Sequence, residues 1–181
     1  MKGIDRKVNM PSYLHELHGT RASVFDLLLT YTVAFITTIV VLFQAWELNL
    51  SVFKLIILGI LVLDLSGGVV SNFTEGTNEY YAEKPKMRYV FIGLHVLQPI
   101  LLTWLFPDDV FGIAVISIYT LIAMIIVNSV GGYLKQRVLG AFLMVIGLSV
   151  SFLVSAIQPM VHLMLILFVI KLILAFAVRW K

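Results

Sequence analysis

Apolar residues along this chain come in six long runs separated by short polar breaks. Each run holds about 20 residues, the length that crosses a hydrocarbon core as a helix. The runs predict spans over residues 22–46, 51–70, 89–106, 110–134, 138–156 and 161–178. Each is expected to be helical, because lipid offers no partner for an unpaired backbone group and the runs are too long for barrel strands. The expected fold is an all-α membrane protein, with a segment 1–21 followed by a compact six-helix transmembrane domain over 22–181.

The connectors alternate in charge. Trp46-Glu47-Leu48-Asn49, Pro107-Asp108-Asp109 and Gln158-Pro159 hold no Lys or Arg. Eleven of the 13 basic residues, from Lys2 and Arg6 to Arg179 and Lys181, fall in the segments on the other side. Lys54 and Lys171 lie within spans. The positive-inside rule then places both termini and the connector 71–88 in the cytoplasm, most simply at a plasma (inner) membrane. The first 21 residues and the span after them read as a retained signal anchor. The net charge of +3 follows from this topology. No basic stripe is interleaved with aromatics, so nucleic acid is not an expected partner. Asn49-Leu50-Ser51 and Asn72-Phe73-Thr74 match the glycosylation pattern by chance, one at the membrane surface and one on the cytoplasmic side.

Composition narrows the class further. Of 181 residues, 60% are hydrophobic and 13% charged, which excludes an ordinary water-soluble enzyme and a disordered chain. Cysteine is absent, so neither a disulfide scaffold nor a cysteine zinc site can form.

Polar groups within spans are costly and mark function by default. Asp64, His95, Asn128 and Lys171 each lie six or seven residues from the cytoplasmic end of their spans, roughly 9–10 Å deep at 1.5 Å per residue. Asp26 is shallower, about 6 Å by the same measure. These residues predict one polar shelf. Asp64, Gly67, Gly68 and Ser71 share a helical face, as do Ser117, Thr120, Met124, Asn128, Gly131 and Lys135. Arg88, His95 and Gln98 occupy one arc of span three, followed by Pro99, which frees a carbonyl and bends the helix. Gly140, Met144, Gly147, Ser151 and Ser155 form a small-residue strip on span five, suited to helix packing or to a homodimer. An Asp64–Lys171 pair would be structural or functional; alternatively Lys171 snorkels to the interface.

The connector 71–88 mixes amides, hydroxyls, carboxylates and two tyrosines, a surface able to hydrogen-bond a polar head group. Gly67 and Gly68 are expected to let the preceding helix end early beside Asp64. Asp64-Leu65-Ser66-Gly67-Gly68 has an echo in Asn128-Ser129-Val130-Gly131-Gly132, a weak hint of tandem hairpins.

The chemistry stays open. Asp64 and His95 are the candidate acid–base pair. Asp26, Asn72, Arg88, Gln98, Asn128 and Lys171 are the candidate binding residues. Arg88, Arg137 and Lys135 at the rim could capture phosphate, against the plainer role of anchoring topology. Asp26, Asp64 and His95 could in principle ligate a metal, joined by His15 and His18, but the zincin and di-iron spacings are missing and no metal is assigned. Gly-x-Ser-x-Gly is absent. No cofactor or family is identified. The preferred expectation is a cytosol-facing polar pocket that binds or modifies an amphipathic, lipid-like small molecule, with membrane lipid as its surroundings. The rivals are a small-solute or ion transporter, including a proton-coupled one, and a non-catalytic assembly protein. Whether the chain is an enzyme is undecided at this level.

Overall fold

The computed structural model describes residues 4–154 and 158–180. Lys2, Lys181, Ser155 and the last residues of the predicted fifth span lie outside this set. An amino-terminal cap comes first: strand β1 (Lys7–Asn9), the short helix α1 (His15–His18) and strand β2 (Arg21–Ser23), with β1 antiparallel to β2. Ser23 then caps the first span, its hydroxyl accepting from the Asp26 N–H at 3.0 Å while the Asp26 charge sits in the first turn.

Six helices are long and apolar enough to cross a membrane: Val24–Leu48, Val52–Ser71, Pro85–Leu105, Pro107–Ser129, Tyr133–Leu153 and Pro159–Phe176. The chain is a multi-pass integral membrane protein. The spans comprise α2 (Val24–Ala45), α3 (Val52–Ser71), α5 (Pro85–Leu94) with α6 (Leu97–Leu105), α7 (Val110–Ser129), α8 (Tyr133–Leu153) and α9 (Pro159–Val169). Beyond α9 the helix widens into a π segment, Ile170–Phe176. Pro85 and Pro159 occupy first-turn positions, where a missing N–H costs nothing.

The last span is the axis of the bundle. Of its residues 61% are buried, against 22% in the most apolar stretches of the first, third and fifth spans. Phe35, Ile39, Phe43 and Phe142 remain exposed on the outer helices, as a lipid-facing surface requires.

Two expectations need correction. The connector 71–88 is not an open loop: helix α4 (Glu75–Glu83) fills half of it, and the next helix begins at Pro85. Asn78 stabilises its start, its amide donating to the carbonyls of Asn72 and Thr74, both at 2.9 Å. The helix of span two does not end at Gly67-Gly68 but runs on to Ser71, both glycines being buried at packing contacts. The strip on α8 packs within the chain, in line with the helix-packing expectation. A Cβ at Gly147 would stand 2.8 Å from the Tyr119 ring, and one at Gly140 would stand 2.7 Å from Val178.

Both ends of the described chain meet α4. Thr77 donates to the Leu17 carbonyl at 2.7 Å, Lys7 pairs with Glu75 at 3.0 Å, and Asn78 accepts from the Trp180 N–H at 3.5 Å. The cap docks through two glycines. Gly19 has φ 72°, which a side chain rarely adopts, and a Cβ there would collide with the Gly76 backbone. A Cβ at Gly76 would overlap the carbonyl oxygens of Arg21 and His18, neither of which can swing aside. Gly76→Ala is therefore expected to cost about 1–3 kcal/mol, the usual penalty for overpacking. Tryptic cleavage at Arg21 should accelerate roughly tenfold or more with the spans intact; an unchanged digestion rate would refute the close approach.

Candidate functional site

The polar residues of span two, span three and the last span meet in a first cluster. Lys171 is drawn inward, its ammonium donating to the Asp64 carboxylate at 2.7 Å and to the Asp64 carbonyl at 3.1 Å. Gln98 donates its amide to the same carboxylate oxygen. Lys171 therefore does not snorkel. Its side chain is 2% exposed, whereas that of Asp64 is 43% exposed. Gly68 makes the room: a Cβ there would sit 2.8 Å from the Lys171 nitrogen and closer still to the stem.

Span three is broken at the same level. Pro99 cannot donate to the His95 carbonyl, and the helix interrupts between Leu94 and Leu97, as a proline-freed carbonyl leads one to expect. The His95 ring nitrogen Nδ1 lies 2.7 Å from the Phe91 carbonyl, so in the neutral ring the proton sits on Nδ1. Nε2 is then an acceptor, buried and without a partner. The ring stacks on Phe91 at 3.8 Å, and Phe91 stacks on Phe176 at 3.7 Å. No hydrogen bond joins His95 to Asp64 among the described residues. The candidate acid–base pair is thus not assembled as a pair: Asp64 is bonded to Lys171 and Gln98, and His95 to its own helix.

A second cluster lies nearer the basic end. Arg88, 5% exposed, donates through Nε to the Asn128 side-chain oxygen at 2.8 Å. Its Nη2 donates to the carbonyls of Phe176 at 2.7 Å and Ala177 at 3.2 Å. These carbonyls end the π segment and have no helical partner left, so the guanidinium closes the carboxyl end of the last span. Its carbon also stands 4.6 Å from the Phe176 ring centroid. The aromatic stack of Phe91 and Phe176 separates this cluster from the first, with Tyr81 edge-on to both rings.

Beside Arg88 opens a cavity of about 240 Å³ lined by Asn78, Glu79, Tyr81, Ala82, Pro85, Arg88 and Arg179. Asp64, His95 and Asn128 do not line it, so the expected shelf is two separate clusters, and of these residues only Arg88 reaches the cavity. The Tyr81 hydroxyl is buried without a partner. Burial first, and the Glu16 charge second, push it up from its ordinary value, so the phenol stays protonated and able to donate. A smaller space of about 10 Å³, room for about one water, adjoins Asn72, Thr77, Tyr81, Arg88 and Phe176. Asn72 turns a buried, unpartnered amide nitrogen there.

The remaining candidates lie elsewhere. Asp26 sits in the first turn of α2, within electrostatic reach of His18 in the amino-terminal cap. Arg137 donates to the Trp180 carbonyl and stacks on the Tyr133 and Trp180 rings, and Lys135 is exposed beside Val138 and Phe142. Neither lines the cavity. Among the described residues no three His, Cys, Asp or Glu side chains gather as a metal site would require. The two echoed motifs adopt different structures: Gly67-Gly68 is buried mid-helix, while Gly132 has φ 88° in the turn before α8. Arg179 was the residue that spacing alone could not reveal as a site member; it reads as one more topology anchor until the last span folds back to α4. No protein-family model, no curated protein and no solved structure matches this chain.

Proposed function

We propose that the chain binds an amphipathic small molecule at the basic end of the bundle, with its head between α4, α5 and residues 176–180 and its tail among the helices. By the distribution of Lys and Arg this end faces the cytoplasm, and a plasma membrane is the simplest setting. One observation carries the reading: a cavity of about 240 Å³, lined by charged, polar and apolar groups, opens onto a buried arginine. Binding is favoured over chemistry, because Asp64 and His95 do not line the cavity. The expected result is an amphiphile that co-purifies with the full chain in mild detergent, detected by native mass spectrometry, and is depleted in Tyr81→Phe. A chain that carries none, and takes up none from a mixed lipid extract, would overturn the reading.

A second reading, an ion-coupled transporter, has its own support. Span three breaks at His95 and the last span turns π around Lys171, both level with the Asp64–Lys171 pair. Discontinuous helices and π segments recur at functional sites. Solute uptake into proteoliposomes driven by a pH gradient, and lost in Asp64→Asn, would favour it.

A further inference from the structure

The charges around the cavity do not balance. Arg88 is buried, yet each hydrogen-bond partner it has is neutral: an amide oxygen and two backbone carbonyls. The ion pairs Lys7–Glu75 and Lys171–Asp64 lie elsewhere. Arg179 is within electrostatic reach and carries the same sign. Glu79 also lines the cavity, so two positive charges and one negative leave an excess of one positive charge. A buried guanidinium is normally offset by an anion, because desolvating a cation is costly. Among the described residues none is supplied to Arg88.

The donors that remain point the same way. Nε and Nη2 of Arg88 are spent on the fold, which leaves Nη1 without a partner among the described residues. Tyr81 lines the cavity too, and its hydroxyl is buried and unpartnered. Asn78 adds little, since its amide is committed to Asn72 and Thr74 and its oxygen to Trp180. At about 240 Å³ the cavity is large enough for a phosphate with a compact substituent.

We infer that this cavity binds a phosphate-type anion, held by the guanidinium groups of Arg88 and Arg179 and by the Tyr81 hydroxyl. Planar guanidinium forks match phosphate oxygens in geometry as well as charge. The anion is either a phospholipid head group or free phosphate. The inference rests on the amphiphile-binding reading for its site, and adds the chemistry of the head.

The test uses the full chain in nanodiscs of phosphatidylcholine alone, in nanodiscs containing phosphatidylglycerol, and in detergent with inorganic phosphate. Bound lipid is counted by native mass spectrometry, and phosphate binding is read by thermal stabilisation. The expected result is one phosphatidylglycerol retained per chain with at least tenfold preference over phosphatidylcholine. Arg179→Gln, an exposed position that leaves the fold intact, should reduce that preference about tenfold, and Tyr81→Phe should also weaken it. Lys135→Gln, equally basic but outside the cavity, should change nothing; an equal loss there would mean general surface attraction and overturn the inference. Saturable phosphate binding that depends on Arg179, with no lipid preference, would uphold the anion site and overturn the amphiphile reading. Saturable phosphatidylcholine binding that is indifferent to Arg179 would do the reverse. Absence of binding by every probe would overturn both.

Discussion

Asp64→Leu is expected to destabilise the protein by about 3–5 kcal/mol, the range for removing one partner of a buried ion pair. Lys171→Met should cost less, under about 2 kcal/mol, on the scale of one lost charge-assisted hydrogen bond. The difference comes from where each survivor is left. Without Asp64, the Lys171 ammonium stays in an enclosed position, 2% exposed, with one backbone carbonyl and no counter-charge. Without Lys171, the Asp64 carboxylate keeps Gln98 and its 43% exposure. The double variant should recover most of the loss, since apolar groups of similar volume often replace a buried pair without penalty. Denaturant unfolding of all three variants in one detergent forms the cycle. Equal losses in the two single variants would show that burial does not govern the pair.

Arg88→Met should be the second large effect, at about 2–4 kcal/mol. The methionine fills the space and removes a costly buried charge. It also strands the Asn128 oxygen and the carbonyls of Phe176 and Ala177, for which Arg88 is the side-chain donor among the described residues. Stranding a buried acceptor costs about 1–3 kcal/mol, so the loss outweighs the relief. Arg88→Lys keeps the charge but cannot span three acceptors, and should fall between. Trp180 reports the outcome: its ring packs on Phe73 at 5.0 Å and its N–H groups are tied to Asn78 and Ala175. With Trp46 and Trp104 replaced by Phe, its emission should shift red in Arg88→Met. An unshifted spectrum would mean that the end of the last span holds its place without the arginine.

The spans were legible because run length is a direct consequence of membrane thickness. The break in span three was legible from Pro99, and the pairing of Asp64 with Lys171 was one of the two fates open to that lysine. Which polar residues share a cluster was not. In a membrane, lipid-facing and core-facing sides are both apolar, so periodicity does not orient one helix against the next. Asn128 and His95 lie at similar distances from their span ends, yet Asn128 belongs with Arg88 and His95 with Phe91. Helix α4 was hidden because it is polar apart from the adjacent Tyr80, Tyr81 and Ala82, which form no apolar stripe. Gly68 was misread for a similar reason: a glycine that ends a helix and one that admits a lysine from another span look alike in one dimension.

The half-open carboxylate of Asp64 constrains the lipid around it. Helix α3 runs on for seven residues beyond Asp64, roughly 10 Å of rise. Acyl chains cannot solvate an ionised oxygen at that depth, so the leaflet must thin there or admit a funnel of solvent. The annulus beside α3 is therefore uneven, and bilayers of short-chain lipid, which meet that dip with less deformation, should suit this protein better than thick ones.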